Sequence, residues 1–203
     1  MRRAPVIGLT GSIASGKSTV SSLLRDLGAL IVDADQLARD AVAPGTSALA
    51  AIKARWGPGV IADDETLDRA ALRRIVFADP AERRALEAIV HPDVEALRAA
   101  AVARGQAAGA PVIVCDIPLL FEKQLEHEFD AVVFVDARDE IRRTRIVATR
   151  GLSTREANEM MAAQLPNEGK RRRATWVIEN NGSLDALREQ VDALWPILCG
   201  LAG

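Results

Sequence analysis

Five short runs of mostly aliphatic residues recur along the chain: Val6 to Leu9, Ala29 to Val32, Val112 to Cys115, Ala131 to Val135 and Thr175 to Ile178. None shows polar alternation, the pattern of strands in a parallel sheet covered by helices on both faces. Between them the spacing turns helical. From Lys17 to Leu27 the apolar positions Val20, Leu23, Leu24 and Leu27 form one stripe, and Gly28 predicts the stop. Ser183 to Leu198 reads as a last helix, capped by Ser183 and laying Leu184, Leu187, Val191, Leu194 and Trp195 on the sheet. Strand and helix in alternation predict an α/β fold, a five-stranded parallel sheet flanked by helices.

Two stretches interrupt that alternation. Residues 36–109 hold only Ala-rich helical segments, broken at Pro44-Gly45, Gly57-Pro58-Gly59, Asp79-Pro80 and His91-Pro92, and predict a helical insertion. Residues 138–173 are dense in Arg, with two helices expected to meet near Leu152, where Ser153 or Thr154 with Glu156 caps the second; a mobile lid is the reading. The core is then 1–35, 110–137 and 174–203.

Composition narrows the picture. Of 203 residues 49% are hydrophobic and 27% charged, so the chain buries a core and is not disordered. Lys and Arg total 26 against 28 Asp and Glu, a net charge of −2 that gives no general attraction for DNA or RNA, and aromatics at 3% make a poor base-stacking platform. Cys115 and Cys199 lie far apart with no zinc spacing, and neither a secretion signal nor an 18-residue apolar run is seen, so a cytoplasmic protein, off the membrane, is expected.

The sharpest pattern is Gly11-Ser12-Ile13-Ala14-Ser15-Gly16-Lys17-Ser18-Thr19, a GxxxxGK[ST] sequence between a strand and an amphipathic helix. The glycines let the backbone curl so that N–H groups point inward, and the helix N-terminus adds positive character for a phosphate chain. Lys17 reaches the β- and γ-phosphates, Ser18 sets its hydroxyl on Mg²⁺, and Thr19 caps the helix or meets the α-phosphate. The alternative is a glycine-rich turn with no ligand.

Ligands of open α/β sheets sit beyond the carboxyl ends of the strands, so the acidic residues there matter: Asp33-Ala34-Asp35, Asp116 and Asp136. Extended spacing points Asp33 and Asp35 to one side, where one carboxylate orients a nucleophile; equally, Asp35 is an N-cap for a helix over Gln36 to Ala43. Asp116 reads as a carboxylate holding Mg²⁺ through water, Asp136 as a strand terminus. Arg142, Arg143, Arg145, Arg150 and Lys170 to Arg173 offer charge for a transferring phosphoryl group, although such a run is usually a solvated face, and about two of the eight are expected at the nucleotide.

Together these strings resemble the dephospho-CoA kinase family over nearly the whole chain. The resemblance rests on Leu9-Thr10-Gly11, Asp33-Ala34-Asp35 with Ala38-Arg39, His91-Pro92, Asp116-Ile117-Pro118-Leu119-Leu120-Phe121-Glu122, Gln164-Leu165-Pro166 with Lys170-Arg171, and Val177 to Ser183. It implies transfer of the ATP γ-phosphate to the ribose 3′-hydroxyl of dephospho-CoA with Mg²⁺. By position Asp35 is similar to the catalytic carboxylate, supported by Asp33; Thr10, Asp33, His91 and Leu119 fall to the substrate, Ser18 and Asp116 to the metal. Where the family usually opens the lid with Gln-x-x-Arg, this chain has Arg142 and Arg145, which leaves the γ-phosphate contact to Arg145 or Arg150. ATP and dephospho-CoA are the expected partners of a monomer or weak homo-oligomer. Other small-molecule P-loop kinases lack the Pro-Leu-Leu-Phe-Glu string, and no Asn-Lys-x-Asp sequence is present to read guanine.

Overall fold

In the computed structural model the described residues are 3–201, so Met1, Arg2, Ala202 and Gly203 lie outside them. Five strands, β1 (Val6–Gly11), β2 (Leu30–Asp33), β3 (Ile113–Asp116), β4 (Ala131–Asp136) and β5 (Trp176–Glu179), form one sheet in the order β2-β3-β1-β4-β5. β1 lies parallel to β3 and β4, and β4 to β5, so the carboxyl ends converge on one edge. The strands after β1 each run one residue past their aliphatic runs, onto Asp33, Asp116, Asp136 and Glu179. The ladder is main-chain and continues beneath a polar side chain, as in the pairings Leu9 with Asp116 and Asp136 with Glu179.

Helix α1 (Lys17–Asp26) and the last helix pack one face of this sheet. Val20, Leu23 and Leu24 of α1 and Leu187, Val191, Leu194 and Leu198 of the last helix close on Ile7, Leu9, Val114, Val133, Val135 and Ile178. Ser183 caps that helix as expected, accepting from the Ala186 N–H. Leu184 does not join the stripe: it stands in the first turn and is 53% exposed, while Leu198, one turn further along, is buried in its place. On the opposite face the positions alternate to Gly8, where an added Cβ would lie 2.7 Å from Leu120 and 2.9 Å from Phe129. Phe121 and Phe134 pack edge to face nearby, their centroids 6.1 Å apart.

The described chain forms two compact units: Asp33–Ala103, and the sheet-bearing remainder. Residues 138–173 fall in the sheet-bearing unit. The smaller unit holds α2 (Ala34–Asp40), α3 (Ser47–Trp56), α4 (Arg69–Ala78) and most of α5 (Pro80–Ala107), around Val42, Ile52, Val60, Leu72 and Val76. Its only pairing among the described residues is an isolated antiparallel bridge, Ile61 with Leu67. The break at Asp79-Pro80 is real: α4 ends, and Asp79 accepts from the Ala81 N–H at 2.7 Å to open α5. The break expected at His91-Pro92 is absent, because α5 runs through Pro92 without interruption. A proline there forfeits one hydrogen bond, to the carbonyl of Ala88, a residue on the exposed side of the helix.

The rest of the sheet-bearing unit is α6 (Asp139–Arg150), α7 (Thr154–Ala162), α8 (Asn167–Arg173) and α9 (Leu184–Gly200), the last helix described above. Among the described residues no helix is long and apolar enough to cross a membrane. Gly8→Val is expected to force its new methyls into Leu120 and Phe129 at a cost of about 1–3 kcal/mol, read as a fall in Tm of about 3–10 °C; an unchanged melting curve would show that those side chains repack freely.

Candidate active site

β1 ends on Gly11, the chain turns through Ser12–Gly16, and α1 begins at Lys17. Two residues of the turn, Ala14 (φ 59°) and Gly16 (φ 93°), take left-handed backbone. Gly16 has a second reason to be glycine, since a Cβ there would lie 2.0 Å from Asn180 Nδ2. It is the N-cap residue of α1, so the helix opens with no side-chain cap and with no acidic residue in its first turn. Such an end leaves N–H groups and the positive end of the helix dipole for an external anion.

What shapes the loop is the disposal of its carbonyls. Arg142 Nε donates to the Ile13 carbonyl at 3.0 Å, and Arg145 Nη1 to those of Ala14 and Ser15 at 3.2 and 3.3 Å. Asn180 Nδ2 donates to the Ser15 carbonyl at 2.8 Å, and the Ile13 N–H is taken by Gln164 Oε1 at 2.8 Å. With three consecutive carbonyls held by guanidinium and amide donors, and the N–H groups of Ile13 and Ser15 bonded to Gln164 and the Ser12 carbonyl, the uncapped start of α1 is what the turn leaves for an anion.

Within this loop and the strand ends beside it, Lys17 is ion-paired with Asp116 at the end of β3. Thr10 is buried and donates to the Pro118 carbonyl at 3.2 Å, tying β1 to the segment that follows Asp116. Ser18 is exposed in the first turn of α1, and Leu119 is 42% exposed. A hydroxyl and a carboxylate are hard oxygen donors of the kind Mg²⁺ takes, and Mg²⁺ completes its shell with water and substrate phosphates rather than a protein cage. Among the described residues no cluster of three or more His, Cys, Asp or Glu side chains forms such a cage.

Asp33, Asp35 and His91 belong to the Asp33–Ala103 unit. There the expected extended geometry gives way: α2 starts at Ala34, and the N-cap is Asp33, whose carboxylate accepts from the N–H groups of Asp35 and Gln36 at 2.8 and 3.1 Å. Asp35 is therefore not the cap. Its exposed carboxylate sits in the first helical turn, where the dipole favours its charge. His91 is half-buried in α5.

The Arg-rich segment is a solvated face only in part. Ser153 and Glu156 form a capping box at the start of α7, as expected, but four of the eight basic residues turn inward. Arg142 and Lys170 are buried, Arg145 holds the loop, and Arg171 bridges Asp136 and Glu179 at 2.6 Å each. Glu179 and then Asp136 hold the Arg171 guanidinium above its ordinary pKa. Arg143 meets Asn158, Arg172 pairs with Glu168 on the surface, and Arg173 lies over the Phe121 ring, while Arg150 is exposed. Asp136 is thus more than a strand terminus. Arg142, read from the sequence as charge for the phosphoryl group, holds a loop carbonyl instead, and three further loop-holding residues, Gln164, Asn167 and Asn180, are given no role in the site by the sequence reading. For Asn180 a signal existed, because it is the polar residue directly after β5, where the strand-end rule applied to the other strands would have pointed.

A family model for dephospho-CoA kinase matches residues 5–186. The chain is 50% identical over 200 residues to a dephospho-CoA kinase of Symbiobacterium thermophilum, covering 98% of this chain and 83% of that one. It is 46% identical over 192 residues to a dephospho-CoA kinase of Geobacter sulfurreducens, covering 94% and 96%. A crystal structure of a Thermus thermophilus protein superposes with a TM-score of 0.84 at 41% identity over the full length of both chains. With a parallel sheet, a phosphate loop and a whole-length match in agreement, the chain belongs to the dephospho-CoA kinase family, the ATP-dependent phosphotransferases that make coenzyme A.

Proposed function

We propose that residues 11–19 hold the triphosphate of ATP, that residues 36–109 receive dephospho-CoA, and that residues 138–173 act as the lid. The observation that carries this reading is the outward tethering of the Ile13, Ala14 and Ser15 carbonyls above an uncapped helix N-terminus that begins with Lys17. Lys17 exchanges Asp116 for the β- and γ-phosphates when nucleotide arrives, at little electrostatic cost because one anion replaces another. Ser18 and Asp116 would hold Mg²⁺, which supplies charge neutralisation on the phosphates when bound.

Asp35 orients the ribose 3′-hydroxyl and takes its proton, with Asp33 fixing the helix turn that carries it. Phosphoryl transfer is loose, so the proton moves late and the carboxylate acts chiefly by positioning. Thr10, His91 and Leu119 complete the acceptor side. Of the two candidate arginines, Arg145 is committed to the Ala14 and Ser15 carbonyls behind the loop, so the exposed Arg150 is left to bring charge to the γ-phosphate when the lid closes. Lid closure excludes water and so suppresses hydrolysis of ATP.

ADP release measured with ATP and Mg²⁺ is expected to be strong with dephospho-CoA and weak with AMP or shikimate as acceptor; equal rates on AMP would overturn the acceptor assignment. Asp35→Asn is expected to lower kcat by about 10²–10⁴-fold while leaving KM for ATP within about threefold. Wild-type turnover in that variant would remove Asp35 from the chemistry.

A further inference from the structure

Lys170 is 2% exposed, an unusual place for an ammonium, and its surroundings dictate a direction of hydrogen bonding. Nζ lies 2.7 Å from Glu122 Oε1 and 3.4 Å from Ser12 Oγ. An ammonium can only donate, so Ser12 must accept from it and give its own proton elsewhere. That proton goes to Asn167 Oδ1 at 2.6 Å, and Asn167 Nδ2 donates to Asp136 Oδ1 at 2.6 Å. The relay therefore has one orientation, from the buried cation through the second residue of the phosphate loop to the end of β4.

Glu122 anchors the other side. Oε1 also accepts from the Leu165 N–H at 3.3 Å, next to Gln164, whose side chain holds the Ile13 N–H. Oε2 is buried with no hydrogen-bond partner among the described residues, so Lys170 is the cation that balances this carboxylate. Asn167 and Lys170 sit one turn apart on α8 and meet the same serine.

We propose that Lys170 and Glu122 are a positioning pair for the nucleotide site, fixing the first turn of the phosphate loop through Ser12 and making that turn and α8 one mechanical unit. The proposal rests on the assignment of residues 11–19 to ATP. Neither side chain touches substrate; both act through Ser12 and Ile13.

Steady-state kinetics and thermal melts on the full chain test it. Lys170→Met alone leaves Glu122 uncompensated, and Tm is expected to fall by about 6–20 °C. The double variant Lys170→Met/Glu122→Leu removes both charges and is expected to recover most of that loss, because an apolar pair often replaces a buried ion pair without penalty. KM for ATP is nevertheless expected to stay raised about tenfold or more, with KM for dephospho-CoA within about twofold. A double variant that recovers Tm and the ATP KM together overturns the pairing role. Ser12→Ala keeps the ion pair and is expected to raise the ATP KM in the same sense; an unchanged ATP KM there overturns the proposal even where the double variant fails to fold. Lys17→Met, run beside them, is expected to be inactive. Should it keep a normal ATP KM, the loop assignment fails and the pair with it, whereas an inactive Lys17→Met beside a normal Ser12→Ala overturns the pair alone.

Discussion

Carbonyl oxygens and phosphates repel, so a loop that is to grip a triphosphate with its N–H groups must first send its carbonyls elsewhere. In this chain Arg142, Arg145 and Asn180 take the carbonyls of Ile13, Ala14 and Ser15, and everything around the loop follows from that requirement. Guanidinium groups suit the task because they remain charged, offer several donors in fixed directions and shed water more readily than an ammonium. The same arrangement explains why Gly16 is pressed against Asn180: the amide that holds the loop occupies the space a Cβ would need.

Holding a loop from behind requires a rigid support, and the support is built from ion pairs, of which Lys170 with Glu122 is the buried one. Arg171 spans Asp136 and Glu179 at the ends of β4 and β5, so α8 is fastened to two strands. Lys170 and Asn167 then reach the loop from the same helix. The buried pair of Lys170 with Glu122 contributes little net stability, because desolvation offsets attraction, but removing one member is expensive. Such a network fixes one geometry rather than adding much to the folding free energy, which suits a site where misplacement by an ångström costs rate.

The Asp33–Ala103 unit solves a different problem with helices alone. Asp33 and Asp68 each accept two N–H groups at the start of a helix, and Asp79 opens a third, so short acidic side chains set where α2, α4 and α5 begin. Once α2 starts at Ala34, Asp35 is presented from a helical turn, and its charge is favoured by the turn that carries it.

The chain order itself determined the strands, the phosphate loop and the two helices that flank the sheet, because aliphatic runs, Gly-rich turns and 3.6-residue stripes are local signals. It also placed the acidic residues at strand ends, since a polar residue after a buried run has few other places to be. The fates of Pro92, Asp35 and the arginines were not local. A proline is carried inside a helix that runs past the exposed Ala88, an aspartate becomes a first-turn residue when its neighbour caps, and a basic side chain turns inward when a carboxylate 48 residues before it, as Glu122 is to Lys170, waits in the fold. Which charges meet across such separations is set by how strands and helices pack, so only the tertiary structure could turn part of an expected solvated face into the frame of the nucleotide loop.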